Sequence, residues 1–315
     1  MDNTSLTPCQ IHELYQERFF TLHVNVLDVE QGSVIYSKNE TTFWTAFTLA
    51  CSTVGISLSA AALGLLILTA ALFAEWRQSY KNQLLIQFML ARFLYACVRF
   101  FSDVQKVFKV CPFSNQFAFV DVISLMYTEM ALVTWMFIFS RQIYISLVRV
   151  FVTEKSSIIK VSIIAWLGPA VLTTFLFGMF YRDRSNMDKY FFFYILTIKW
   201  PTLIANAVYL ILALRSVIRN NMKTEKNVRI IVVMIMLIFI FCFQQMVVDV
   251  FKMIYMELGD SKHSINNMLK IGNLLSMYHC ACSILFWVLG NANTRKLWRF
   301  HGKGLRVKLR LSISS

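Results

Sequence analysis

The sequence is poor in charge, proline and glycine for its length. Only 15% of its 315 residues are charged, and it contains four prolines and ten glycines. Soluble domains carry about 25% charged residues, and disordered chains stay unfolded through low hydrophobicity and high charge, so the scarcity of charge argues against both. The few prolines and glycines exclude a collagen-like or linker-rich chain. Residues 1–10 lack the apolar stretch of a cleavable signal peptide, so we expect the first membrane span to act as its own signal anchor.

Apolar residues are abundant, and they come in long runs. They make up 57% of the chain. A membrane helix needs about 20 mostly apolar residues, whereas a membrane β-barrel would show alternating segments of about ten residues. The sequence therefore predicts an all-α membrane protein, a seven-transmembrane helix bundle over residues 43–290. The predicted spans are Phe43–Phe73, Leu84–Phe101, Phe117–Phe139, Ile158–Phe180, Tyr190–Leu214, Ile230–Met253 and Met268–Leu289.

The basic residues predict which way the bundle faces. If the N-terminus is outside, the loops and tail on the cytosolic side hold seventeen lysines and arginines and the outer side holds eight. Short cytoplasmic loops are enriched in these residues. We therefore predict an extracellular N-terminal segment at 1–42 and a basic cytoplasmic tail at 291–315, in a multi-pass protein of the plasma membrane.

The net charge of +14 does not indicate a nucleic-acid partner. The basic residues lie beside predicted spans, where the anionic cytoplasmic leaflet attracts each of them by about 1 kcal/mol. We expect the partner of this charge to be the lipid bilayer. Residues 293–300 are suited to a short helix along the membrane interface.

The N-terminal segment carries two further predictions. Both N-glycosylation tripeptides of the chain begin there, at Asn3 and Asn39. Of the seven cysteines, only Cys9 and Cys111 are expected outside, where an oxidising compartment would let them form a disulfide. The other five fall in predicted spans and read as small apolar residues. No metal-binding spacing is present, and we expect no metal and no cofactor.

Several motifs occur in the order typical of one receptor family. In the first span, Thr53–Ser59 resembles Val-Gly-Tyr-Ser-x-Ser, a run of small residues that allows close helix packing in lipid. In the second, Gln87–Arg92 resembles Ser-Phe-x-Leu-Arg. The fourth keeps a Trp-x-x-Pro spacing in Ala165–Pro169, and the fifth begins with Ile198–Pro201, similar to Ile-Lys-Gly-Pro. Together they resemble the secretin-like (class B) family of G-protein-coupled receptors, whereas the aspartate, Asp-Arg-Tyr and Asn-Pro-x-x-Tyr motifs of rhodopsin-like receptors are missing.

The departures from that family are also informative. Residues 1–42 contain one cysteine, so the six-cysteine hormone-binding domain of the family is missing. The inner histidine of the family falls on Lys81 or Asn82, its third-span glutamate falls near Arg141, and the Pro-x-x-Gly hinge of the sixth span is absent. The chain thus resembles a divergent member, and the methuselah and adhesion branches remain open.

Polar residues inside the predicted spans are the candidate ligand site. A charge at the bilayer centre costs at least about 2.5–3.5 kcal/mol, so such residues need partners or water. Arg92 and Arg99 are seven apart, which the resemblance associates with a ligand cavity, and Asp121 and Glu129 share one face of the third span. They are expected either to form ion pairs or to line a hydrated cavity. The predicted ligand-binding residues are Arg92, Arg99, Asp121, Glu129, Lys199, Gln245, Asp249 and His279.

His279 and Asp249 each have a second interpretation. A histidine inside a helix bundle is more often a hydrogen-bonded core residue than a pH sensor. Asp249 lies three residues before Lys252 and is equally suited to an internal ion pair at a helix end.

The resemblance implies a receptor that transmits binding of an extracellular peptide or small molecule to a heterotrimeric G protein. Basic residues at the cytosolic end, Arg141, Arg219, Lys223 and Arg229, are the candidates for coupling, although positive-inside topology alone explains most of them. The alternative is a non-signalling heptahelical protein, because the expected switch positions are altered. An insect-type chemoreceptor channel would run with its N-terminus inside, and a transporter would show broken helices and inverted repeats. No catalytic motif indicates an enzyme.

Overall fold

The computed structural model describes most of the predicted bundle, and it is almost entirely helical where it is described. The described residues are 34–107, 115–148, 157–182, 192–220, 235, 238, 242–257, 271–272, 274–275, 277–279, 281–284 and 294–300.

Five helices among these residues are long and apolar enough to cross a membrane. The membrane-spanning parts are Ala46–Leu72, Tyr80–Val104, Ile123–Ser146, Ile158–Met179 and Phe192–Arg219. They coincide with the first five predicted spans. In the sixth predicted span the structure describes the helix Gln244–Glu257, and in the seventh it describes helical residues between 271 and 284.

The helices extend beyond the predicted windows. The first begins at Val34, so the backbone of Asn39 is helical. The second runs over Tyr80–Val107 and the third over Asn115–Val148. The third helix has 34 residues and is thus about 51 Å long at 1.5 Å per residue, which exceeds the roughly 30 Å of a hydrocarbon core. The fourth helix is Ile158–Arg182 and the fifth is Trp200–Asn220, preceded by a π-helical turn at Ile195–Lys199.

The third span lies at the centre of the described bundle. Its window is 67% buried, whereas the windows of the fourth and fifth spans are each 22% buried. Trp135 and Met136 of the third span are fully enclosed, and the ring of Phe139 stacks on that of Phe88 in the second span with centroids 5.2 Å apart. The fourth span exposes large apolar side chains such as Val171 and Phe175. These side chains face outward, as expected of a helix that contacts lipid.

Small residues bring the first and seventh spans together. A Cβ atom built on Gly55 would lie 3.0 Å from the Cβ of Met277. The Ser59 hydroxyl donates to the carbonyl oxygen of Met277 at 2.8 Å, and the Tyr278 hydroxyl donates to that of Cys51 at 2.8 Å. The run of small residues in the first span therefore allows the close packing against another helix, here the seventh, that the sequence predicted.

Two tryptophans join the C-terminal helical residues 294–300 to the start of the chain's first loop. The indole N–H of Trp76 donates to Thr294 Oγ1 at 3.1 Å, and that of Trp298 donates to Thr69 Oγ1 at 3.2 Å. The ring of Phe73 meets that of Trp298 edge-on, with centroids 5.5 Å apart. Trp76 belongs to a short helix, Ala74–Gln78, between the first and second spans. We call this reciprocal pair of bonds the tryptophan clasp.

Candidate functional site

A widened turn places Lys199 inside the bundle. The fifth span starts with π-helical residues Ile195–Lys199, in which the backbone N–H of Trp200 donates to the carbonyl oxygen of Ile195, five residues back. Pro201 follows directly. A proline has no N–H and its ring clashes with the carbonyl four residues back in a regular helix, so a wider turn ahead of Pro201 relieves that clash. Single π turns of this kind are frequent at functional sites.

Lys199 forms two short ion pairs with residues of other spans. Its Nζ lies 2.7 Å from Glu129 Oε1 of the third span and 2.7 Å from Asp249 Oδ1 of the sixth. The side chains are 1%, 7% and 0% exposed, respectively. We call these three residues the charge cluster. It connects three helices that are distant in sequence.

Each member of the charge cluster is a buried charged group that needs a partner of opposite charge, and the other members supply that partner. An ammonium ion removed from water needs both an opposite charge and hydrogen-bond acceptors, because the desolvation penalty is several kcal/mol per ion. Lys199 donates two charge-assisted hydrogen bonds, which are the strong kind. The cluster is therefore stable only as a unit, and loss of one member leaves a buried charge unbalanced.

Two buried tyrosines border the charge cluster. The Tyr194 hydroxyl, at the beginning of the fifth span, donates to Glu129 Oε2 over a long 3.5 Å bond. The side chain of Tyr95, from the second span, is buried where the charges of Glu129, Lys199 and Asp249 all act on its hydroxyl. The second span thus contacts the same polar region through Tyr95.

The two arginines of the second span are buried in the same region. Arg92 and Arg99 are each 3% exposed. The charge of Arg99 acts on Tyr95, one helical turn before it, and the charge of Arg92 acts on His279 of the seventh span. Polar residues from five spans therefore face one interior region.

This region lies nearer one end of the bundle. The second span ends at Val107, and alternation along the chain puts the start of the fifth span and the end of the sixth at that same end. We call it the Val107 end. Arg99 lies eight residues before Val107, and Asp249 lies eight residues before Glu257, about 12 Å of helix in each case. The orientation predicted from the charge distribution makes the Val107 end extracellular.

The structure places most of the predicted ligand-binding residues together. Arg92, Arg99, Glu129, Lys199 and Asp249 are all buried in this region. The ion pairs of the region join Glu129 and Asp249 to Lys199. The sequence predicted these three residues as site residues but did not predict that they pair with one another. The alternative partner of Asp249, Lys252, and the side chain of Asp121 lie outside the described residues.

The remaining two predicted residues occupy intermediate positions. His279 and Gln245 are each partly buried. It is the neighbouring Gln244 that is buried, and its Nε2 donates to the carbonyl oxygen of Gly272 in the seventh span at 3.2 Å. A Cβ atom on Gly272 would lie only 2.7 Å from a methyl carbon of Val248. Gln244 and Gly272 thus hold the sixth and seventh spans close together.

At the opposite end, which we call the Trp76 end, two of the predicted coupling residues are described. Arg141 and Arg219 are both exposed there. The third helix continues to Val148, so Arg141 lies two turns inside the helix end. Lys223 and Arg229 lie outside the described residues, as do Asn3, Cys9 and Cys111. Among the described residues no group of histidine, cysteine, aspartate and glutamate side chains is arranged to hold a metal ion.

Two tyrosines and one asparagine of the spans were not among the predicted site residues. Tyr95 lies three residues after Arg92 and four before Arg99, a helical spacing that places all three on one face and could have identified it. Tyr194 is five residues before Lys199 and shares its face only because of the π turn. Asn206, fully buried in the fifth span, has no hydrogen-bond partner for its side-chain amide in the described part of the chain.

Apolar helices around a buried polar region define the chain as a multi-pass helical membrane protein. The model of one receptor family, described as 7 transmembrane receptor (Secretin family), matches residues 47–279. The chain therefore belongs to the secretin family of seven-transmembrane receptors, and its fold is the seven-transmembrane helix bundle that the sequence predicted. The match includes all of the charge cluster, both arginines and His279. No individual curated protein matches the chain.

Proposed function

We propose that the chain is a G-protein-coupled receptor that binds an extracellular ligand at the Val107 end and signals to a heterotrimeric G protein at the Trp76 end. The observation that carries this proposal is the charge cluster, which joins the third, fifth and sixth spans on the half of the bundle predicted to face outward. A ligand that reaches this region can alter the packing of three helices at once. A shift between two helix packings, each with its own ligand affinity, is how such proteins transmit binding.

Coupling at the other end is proposed for Arg141, Arg219, Lys223 and Arg229. Arg141 ranks first because it is exposed on the helix itself, where topology alone does not require a basic residue. Localisation in the plasma membrane, N-terminus outside, is part of the same proposal, as is glycosylation at Asn3 and Asn39.

The test is G-protein activation in cells that express the full chain, measured with dissociation sensors for every G-protein class. We expect basal or ligand-evoked activation that Arg141→Ala reduces several-fold. Lys160→Ala is the matched control, since Lys160 is also exposed and basic at the Trp76 end, and it should leave signalling unchanged. Tags on the two termini should be accessible on opposite sides of the membrane, and finding both on one side would contradict the proposal.

The second candidate is a non-signalling heptahelical protein, such as a decoy or a scaffold. The observation that favours it is that the inner histidine of the family falls on Lys81 or Asn82 and its third-span glutamate falls near Arg141. Surface expression without activation of any G-protein class, in the wild type and in variants of the charge cluster, would favour this second function.

A further inference from the structure

The C-terminal helical residues 294–300 have a packed face and an exposed face. Thr294 and Trp298 hold the packed face against the first span and the first loop through the tryptophan clasp. The exposed residues are Arg295, Lys296, Arg299 and Phe300. At 100° per residue, these four positions lie within an arc of about 140° around the helix axis. We call the first three of them the basic face.

The charges of the basic face are not used inside the protein. None of its three residues forms an ion pair within the described part of the chain, and residues 294–300 contain no acid. The neighbouring short helix Ala74–Gln78 adds one exposed acid, Glu75, and one exposed base, Arg77. The charges of Glu75 and Arg77 cancel, so this corner of the bundle keeps an excess of three positive charges on the basic face.

The tryptophan clasp sets the depth of the basic face relative to the membrane. Trp298 donates to Thr69, and Thr69 lies three residues before Leu72, where the membrane-spanning part of the first helix ends. Three residues of helix correspond to about 4.5 Å. Residues 294–300 therefore lie at the boundary between acyl chains and headgroups, where basic side chains meet lipid phosphates and apolar ones such as Phe300, which is 72% exposed, meet acyl chains.

We propose that the basic face is a binding site for the headgroup of an anionic phospholipid and that the tryptophan clasp holds this site at headgroup depth. The general attraction of basic loops to an anionic leaflet is spread over all of them, whereas this site is confined to two turns of one helix. Charge complementarity selects the occupant, because arginine donates paired hydrogen bonds to a phosphate group. The proposal needs neither an extracellular ligand nor a G protein, so it can fail without affecting the proposed function.

The experiment measures which lipid the full chain prefers. The protein is reconstituted in vesicles of dioleoyl phosphatidylcholine that contain a trace of spin-labelled phosphatidylserine or, in parallel, of spin-labelled phosphatidylcholine. Electron paramagnetic resonance gives the fraction of label that the protein immobilises, and hence the association of phosphatidylserine relative to phosphatidylcholine. One basic residue near a membrane surface changes lipid affinity by about fivefold, so we expect a several-fold preference for phosphatidylserine that falls with added salt. Equal association of the two lipids would overturn the proposal.

Two matched double variants distinguish a site from diffuse attraction. Lys296→Gln with Arg299→Gln removes two charges of the basic face, and Lys160→Gln with Arg215→Gln removes one lysine and one arginine that are also exposed at the Trp76 end. The first pair should lose most of the preference for phosphatidylserine, and the second should keep it. Because all four side chains are exposed, Tm should be unchanged in both. Equal losses of preference would show diffuse attraction and would contradict the proposed site.

A third variant tests the tryptophan clasp. Trp298→Leu keeps every charge of the basic face but removes the bond to Thr69 and the ring contact with Phe73. We expect the preference for phosphatidylserine to fall in this variant, and an unchanged preference would show that the clasp does not hold the site. Should Trp298→Leu fail to fold, the two double variants still decide.

A salt control separates a lipid headgroup from a free anion as the occupant. Sodium phosphate should reduce the preference no more than sodium chloride does at the same ionic strength. A larger reduction by phosphate would identify the free anion as the occupant and overturn the assignment to a lipid.

Discussion

The bundle is joined by two chemically different kinds of contact. On one side, the third, fifth and sixth spans meet at the charge cluster, whose three members are buried and joined by two ion pairs. On the other, the first span meets the seventh and the C-terminal residues through small residues, hydroxyl groups and the tryptophan clasp. The first kind of contact depends on every member, because removal of one member leaves a buried charge without its partner. The second kind is a sum of neutral bonds, each worth about 1 kcal/mol.

This difference indicates which helices are able to change their packing when a ligand binds. A set of ion pairs that loses several kcal/mol of stability when one partner is removed has two discrete states, intact or broken. A set of small neutral contacts can be lost one contact at a time instead. We therefore expect ligand-dependent changes to be concentrated among the third, fifth and sixth spans, with the first and seventh spans acting as a support.

The largest effect is expected when Lys199 is replaced. Lys199→Met leaves Glu129 and Asp249 buried without their counter-ion, and breaking a buried ion pair in this way costs about 3–5 kcal/mol. We expect a large fall in Tm of the purified chain and reduced surface expression. Lys160→Met, which removes an exposed charge, should change neither.

A double variant sharpens the same comparison. Lys199→Met combined with Glu129→Gln removes one charge of each sign, so the net charge of the region that also holds Arg92 and Arg99 is unchanged, and exchange of a buried ion pair for neutral residues is often neutral or stabilising. The double variant should recover part of the stability that Lys199→Met loses, while ligand-dependent signalling stays absent. A double variant as unstable as the single one would contradict the view that the members of the charge cluster depend on one another.

An intermediate effect is expected at Gly55. Gly55→Val introduces a Cβ that meets Met277 at 3.0 Å and Tyr278 at 3.2 Å, and overpacking of this kind costs about 1–3 kcal/mol. Gly64→Val is the matched control, because it lies in the same helix with no atom within 4 Å of its Cβ position. Thermal unfolding of the two variants should differ clearly, and equal Tm values would show that the first and seventh spans are not in close contact at Gly55.

The smallest effect is expected at the tryptophan clasp. Thr294→Val removes one acceptor and leaves the Trp76 indole without its partner, at a cost of about 1 kcal/mol. Thr174→Val is the control, since the Thr174 hydroxyl donates only within its own helix, to Ala170. Tm should fall by a small amount in Thr294→Val alone. A fall as large as that of Lys199→Met would remove the distinction between the two kinds of joint.

The sequence predicted the membrane spans and the buried charged residues better than the contacts between them. Long apolar runs located five of the spans, because membrane insertion depends on local composition. The small residues around Gly55 likewise predicted close packing. Glu129, Lys199 and Asp249 were found as buried charges, but their pairing depends on how three helices are rotated about their axes, and no local pattern records that rotation. The π turn adds a further rotation ahead of Pro201, which is why Tyr194 was missed.

The chain order of the charge cluster has a consequence for biosynthesis. Glu129 precedes Lys199 by 70 residues, and Lys199 precedes Asp249 by 50. The ribosome therefore releases the third span long before the lysine that pairs with Glu129 has been made, whereas Arg92 and Arg99 of the second span are already present. A carboxylate inside a membrane span is unfavourable without a partner or water, so we expect the third span to pack against the second before it packs against the fifth. Because Asp249 belongs to the sixth span, the charge cluster closes only late in biosynthesis, after most of the bundle has been made.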